Sequence, residues 1–124
     1  MPLERINIHK LAEPVGPYVH VVRHGDTLYT SGFTAFGSEA QQGSIVLQAS
    51  AIFDQLRLIT EQQETSFENL IKVTIFVTDL LEVGELRALL TSIYGDHKPA
   101  SSLIKIDQLF APELKIEIEA IFAC

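Results

Sequence analysis

ELKIEIEAIF, Glu113 to Phe122, alternates strictly along its length. Leu114, Ile116, Ile118, Ala120 and Phe122 fall on one side and Lys115, Glu117, Glu119 and Ile121 on the other, the period-two signature of a strand with one face in a core. Such a strand needs a covering layer on its apolar side only.

Upstream, LIKVTIFVT (Leu70 to Thr78) reads the same way, with Ile71, Val73, Ile75 and Val77 on one face and Lys72, Thr74, Phe76 and Thr78 on the other. The covering layer precedes it: Ile45, Ala49, Ile52, Leu56 and Ile59 are spaced by fours and threes, the stripe of an amphipathic helix running to about Glu64. After the strand, Asp79 is placed to cap a second helix, whose stripe of Val83, Leu86, Leu90 and Ile93 closes near Gly95. YVHVVRH (Tyr18 to His24) and LYTSGFT (Leu28 to Thr34) flank Gly25-Asp26-Thr27 and predict a hairpin, and PASSLIKI (Pro99 to Ile106) predicts a further strand. The order is β-β-α-β-α-β-β in one domain, residues 1–124, an α+β sandwich with two helices on one face of a mixed sheet.

The other face carries Val22, Tyr29, Phe76 and Ile121 beside Lys72, Glu117 and Glu119. That is too apolar for water alone and too charged for a closed core, so it predicts a subunit interface in an oligomer.

Composition bounds the function. At 124 residues, 47% hydrophobic and 20% charged, the chain is an ordinary globular domain. Nine basic against sixteen acidic residues give a net charge of −7, which opposes binding driven by phosphate neutralisation, to nucleic acid or to an anionic membrane. MPLERINIHK lacks the apolar run of a signal peptide, and no stretch approaches the ~20 apolar residues of a bilayer span, so the expected location is cytoplasmic. Cys124, the single cysteine, has no partner for an intramolecular disulfide and is expected in a frayed terminus.

Chemical candidates are few. His20 and His24 share a strand face but lie ~13 Å apart along extended chain, too far for one zinc, so no metal site is expected and both read as partly exposed strand histidines. Ser31 in TSGF lacks the second glycine and the strand-to-helix context of a hydrolase elbow. Ser101 and Ser102 have no histidine or aspartate obliged to lie beside them and read as small polar residues where a strand begins. Glu119 either stands on a solvated strand face with Lys115 and Glu117, or lies in a cleft where a carboxylate is paired or raised in pKa.

Taken together, GPYVHVVRHGDTLYTSG, KVTIFVTDL and PASSLIKIDQL followed by ELKIEIEAI resemble the RidA/YjgF family, also called the L-PSP endoribonuclease or translation-initiation-inhibitor family, over nearly the whole chain. The resemblance implies a chorismate-mutase-like fold in a homotrimer, open sheet faces forming a central barrel, and three small-molecule clefts between subunits. It also implies hydrolysis, without a cofactor, of reactive imines and enamines such as 2-aminoacrylate and 2-iminobutanoate. Of the residues that clamp substrate in those deaminases, Tyr18, Ser31, Gly32 and Glu119 match, Glu119 as the catalytic glutamate. The arginine that grips the substrate carboxylate does not, because the motif reads Pro99-Ala100-Ser101-Ser102 and its position falls on Ser101. Phe33 stands where glutamine is frequent and Leu103 where cysteine or a small residue is frequent.

Charge-assisted hydrogen bonds contribute about 1.5–3 kcal/mol each, so loss of a bidentate guanidinium weakens carboxylate binding tenfold to thousandfold. Arg87 aligns with a frequent cleft asparagine and is a candidate replacement cation, whereas Lys105 lies ~13 Å along the strand from Ser101; both also read as ordinary surface charges. Three functions compete. The first is an imine or enamine hydrolase for a neutral or less acidic substrate, with Glu119 positioning water and the ligand held by Tyr18, Ser31, Gly32, Phe33, Ser101, Ser102 and Leu103. The second is a noncatalytic trimer binding a small apolar metabolite. The third, an endoribonuclease or translation inhibitor, is opposed by the acidic charge.

Overall fold

A computed structural model describes residues 1–124. In chain order the elements are β1 (Leu3–Ile6), β2 (Val21–His24), β3 (Thr27–Thr30), α1 (Ile45–Gln62), a 3-10 turn (Phe67–Asn69), β4 (Leu70–Val77), α2 (Val83–Tyr94), β5 (Ala100–Lys105) and β6 (Ile116–Ala123). Six strands form one sheet in the order β1-β2-β3-β6-β4-β5. β6 pairs antiparallel with β3 on one side and β4 on the other, and β5 lies parallel to β4 at the far edge, reached through α2.

The alternation of β6 is realised: Ile116, Ile118, Ala120 and Phe122 are buried, while Glu117, Glu119 and Ile121 face away from the helices. The stripe Ile45, Ala49, Ile52, Leu56 and Ile59 is buried to the last residue and joins Leu86 and Leu90 of α2 in one core cluster with Val73, Ile75 and Val77 of β4. α1 has no acidic residue in its first turn and no basic residue in its last, and only a 3.3 Å bond from the Leu47 amide to Ser44 Oγ caps its start. Its stability therefore comes from its buried face, where each fully buried Ile or Leu contributes about 1.5–3 kcal/mol.

The structure corrects the sequence reading in five places. β1 is an additional strand, a mostly exposed edge held by pairing with β2, and LERI has no alternation to reveal it. Ile71 is exposed, because a register irregularity between Leu70 and Lys72 turns Leu70 inward instead. Asp79 does not cap α2; its Oδ1 accepts from the Leu81 amide at 2.9 Å in a local turn, and the helix starts after Glu82 with no side-chain cap. Cys124 is not frayed, since its amide donates to the Asp26 carbonyl at 2.9 Å and its side chain packs against the core. His20 is buried rather than partly exposed, while His24 is exposed. The closing glycine is where the pattern put it: Gly95 has φ +57°, a conformation that disfavours any side chain.

One buried polar residue within α1 ties the loops together. Gln48 is fully buried, and its Nε2 donates to the carbonyls of Gln41 (3.1 Å), Gly43 (3.2 Å) and Glu113 (2.9 Å), while its Oε1 accepts from the Lys115 amide at 2.8 Å. It fastens the segment after β3 to the segment before β6. Gln48→Leu preserves bulk but strands those backbone groups, so urea denaturation is expected to show a loss of about 2–4 kcal/mol.

Candidate functional site

A cleft of about 460 Å³ opens beside the end of β3. Its walls come from the β1–β2 connection (Ala12 to Val15, Tyr18, His20), the segment after β3 (Ser31 to Thr34, Phe36), Gln55 of α1, Phe110 before β6, and Glu117 of β6. The volume suits a small molecule.

His20 fixes the first wall. Its Nδ1 accepts from the Ile8 amide at 2.9 Å, so Nε2 carries the proton and donates to the Ala12 carbonyl at 2.9 Å. With both ring nitrogens committed, His20 is a clip for the β1–β2 connection. No group of three His, Cys, Asp or Glu side chains stands close enough to hold a metal ion.

Ser31 is committed as well. Its amide donates to the His20 carbonyl at 2.9 Å and its hydroxyl to the Val19 carbonyl, which leaves the oxygen only as an acceptor. The neighbouring Gly32 amide donates to nothing in the chain. Between the pairs Tyr29–Ile121 and Phe33–Ile118, β3 and its extension advance four residues while β6 advances three, a bulge that lifts Ser31 and Gly32 out of the ladder. Thr30 Oγ1 fills the gap by accepting from the Ala120 amide at 2.9 Å.

Glu117 folds over that glycine. A Cβ at Gly32 would lie 2.8 Å from Glu117 Cδ and 3.1 Å from Cγ, so any side chain at this position would push the carboxyl away from its place over the glycine. Burial, then the charge of Glu119, raises the Glu117 pKa above the ordinary carboxylate value. A carboxyl group with a raised pKa thus stands beside a backbone amide that has no partner in the chain.

Glu119 does not line this cleft. It is exposed beside Tyr29, Thr30, Lys72, Thr74 and Ile121, around a separate hollow of about 100 Å³ on the open face. Tyr18, Ser31, Gly32 and Phe33 are brought together in the cleft, and Arg87, Ser101, Ser102 and Leu103 are not. Arg87 is exposed on α2, and Ser101 is exposed on β5 opposite Val73. Ser102 faces the open side and accepts from Lys72 Nζ at 3.1 Å, while Leu103 lies opposite Ile75 and packs on the core. Lys105 is exposed at the end of β5. Two strands separate β5 from β3, a lateral span of roughly 14 Å, so one chain does not deliver its own β5 residues to its own cleft.

Sequence reasoning missed Glu117, Phe36, Gln55 and Phe110 as wall residues. Glu117 and Glu119 occupy equivalent positions in the alternation, and only the packing against Gly32 separates them. The walls include the carboxylates Glu13 and Glu117 and no lysine or arginine.

Residues 8–124 match the family model described as Endoribonuclease L-PSP. A 2-iminobutanoate/2-iminopropanoate deaminase of Escherichia coli K12 is 30% identical over 112 residues, 86% of this chain and 87% of that protein. A RutC family protein of Pyrococcus abyssi is 26% identical over 124 residues, 98% of this chain and 97% of its own. Among solved structures, RidA of an Antarctic Psychrobacter superposes with a TM-score of 0.87 at 25% identity, covering 98% of this chain and 99% of that one. Yeast Mmf1 gives 0.87 at 26% identity, covering 98% of each.

The raised pKa of Glu117 has a thermodynamic consequence. The folded state holds this proton to higher pH than the unfolded chain does, so its contribution to stability is present below the ordinary carboxylate pKa and is lost as pH rises through the raised value. Glu117→Gln is therefore expected to melt higher than the wild type at pH 7, with the difference shrinking at pH 4; equal offsets at both pH values would contradict this placement of the carboxyl.

Proposed function

The chain belongs to the RidA/YjgF family, the group described as Endoribonuclease L-PSP, and from that premise we propose that it is a homotrimer hydrolysing a reactive imine or enamine other than the standard 2-imino acids in clefts between subunits. The observation that carries the reading is the Glu117 carboxyl set against Gly32, with its raised pKa and the free glycine amide beside it. The water-positioning role expected of Glu119 passes to Glu117 on this geometry. Glu117 accepts a proton from water as the oxygen bonds to the imine carbon. Starting from the protonated imine, it then returns that proton to the carbinolamine nitrogen, takes the hydroxyl proton as the carbon–nitrogen bond breaks and the carbonyl forms, and passes it to the departing ammonia, so that the imine and water leave as a carbonyl compound and ammonium. The Gly32 amide holds a polar substrate atom through the sequence.

Two features support assembly. Tyr29 is 45% exposed among Val22, Phe76 and Ile121 on the helix-free face, an apolar patch that a second copy would bury. The β5 residues Ser101 and Leu103 reach a cleft only if it belongs to a neighbour. The shift away from 2-imino acids rests on Ser101 in place of the arginine and on cleft walls that, as one chain supplies them, hold two carboxylates and no cation. A noncatalytic binder of a small metabolite is the second reading, supported by the exposed apolar walls Val15, Phe36 and Phe110. Ribonuclease action is disfavoured by the same cation-free walls and the net charge of −7.

The direct test is ammonia release from 2-iminobutanoate generated in situ, with wild type, Ser101→Arg, Glu117→Gln and Glu119→Ala. The wild type is expected to be weak and Ser101→Arg at least tenfold faster. Glu117→Gln should cost on the order of a hundredfold in the Ser101→Arg background, and Glu119→Ala less than threefold. Silence from every variant, on neutral imines as well, would favour the noncatalytic trimer.

A further inference from the structure

Phe36 and Phe110 come from different loops and meet edge to face, ring centroids 5.0 Å apart, at the wall of the cleft. They are 48% and 61% exposed, an unusual state for two phenylalanines held in a fixed mutual geometry.

Their position is built rather than incidental. The Phe36 amide donates to Thr34 Oγ1 at 3.1 Å, and the next amide, Gly37, donates to Gln41 Oε1 at 2.7 Å. Gln41 Nε2 then donates to Glu113 Oε1 at 2.6 Å, crossing to the loop that carries Phe110. Ala35 and Ala111, the chain neighbours of Phe36 and Phe110, join Leu114 in a small buried cluster apart from the main core. Gln48 binds the carbonyls of both Gln41 and Glu113 from below. Two loops are thus locked together, and what they present is an aromatic pair. A preorganised apolar surface of this kind binds a flat apolar group without an ordering cost.

The charge of the cleft restricts what that group is attached to. Glu13 and Glu117 are the only carboxylates among the walls that one chain supplies, and no lysine or arginine accompanies them there. A protonated imine is complementary to this field and a substrate carboxylate is not.

We infer that Phe36 and Phe110 form a side-chain subsite selecting an aromatic imine that lacks a carboxylate, the class formed when arylalkyl primary amines are oxidised. The inference rests on the reading of the cleft as an imine site and names its substrate class. The ring of the ligand lies against the aromatic pair and its nitrogen end lies toward Glu117.

Binding separates this claim from the claim of catalysis. Calorimetry on the intact oligomer would use 2-phenylethylamine, n-butylamine and phenylacetate as probes, with sedimentation of each variant beside it. 2-Phenylethylamine is expected to bind at least tenfold more tightly than either other probe, and Phe36→Ala and Phe110→Ala to erase that preference while assembly stays unchanged. Phe110→Leu, which keeps bulk without the ring, should retain the fold and lose most of the preference. Equal affinities for the two amines, a preference that survives both alanine variants, or altered assembly in them would overturn the subsite, the last because the rings would then be a subunit contact. Hydrolysis of the matching aldimine is read separately. Selective binding without ammonia release would leave the subsite standing and remove the hydrolase reading, and ammonia release without aromatic preference would do the reverse.

Discussion

The two-sidedness of β6 is the constraint on which the rest depends. Its inward residues, Ile116, Ile118, Ala120 and Phe122, weld both halves of the sheet to the helices. A strand with that face inward has no choice about the other: Glu117 and Glu119 must leave on the side that no helix covers. The acidic chemistry of the open face and the cleft follows from the same period that makes the core. A one-residue slip would lose both together.

What turns an acidic strand face into a site is the bulge before Phe33. It removes Ser31 and Gly32 from the ladder, leaves the Gly32 amide unspent, and lets the Glu117 carboxyl lie where a Cβ would otherwise stand. The surrounding loops need outside support, and two buried polar side chains provide it. His20 clips the β1–β2 connection and Gln48 clips the loops flanking Phe36 and Phe110, each through bonds to backbone. Rigidity is thus concentrated in the frame, while the cleft keeps an exposed aromatic pair and a carboxyl with a raised pKa.

Much of this was legible in the sequence. The helix stripes, the alternation of β6, the glycine at position 95 and the amphipathic open face all come from periodicity, because burial repeats with the geometry of the element that causes it. β1 was not legible, since an exposed edge strand is held by backbone pairing and leaves little pattern. Nor was the inward turn of Leu70, because a bulge shifts the period by one without marking the sequence. Tyr18, Ser31, Gly32 and Phe33, named from the family resemblance, line one cleft of the chain, whereas only the contact with Gly32 tells Glu117 apart from Glu119. Phe36, Phe110 and Gln48 act through contacts between distant segments, which local pattern does not carry.

The central claim is that the cleft of one chain is completed by the β5 edge of another, since Ser101 stands two strands away from the β3 that carries the cleft. The most direct measurement is cross-linking of a Tyr18→Cys, Ser101→Cys double variant with a short bismaleimide, in a Cys124→Ser background that removes the native thiol. The account predicts a closed three-chain covalent species on denaturing electrophoresis and no such species from either single variant. A link formed within one chain, or no link between chains, would contradict it.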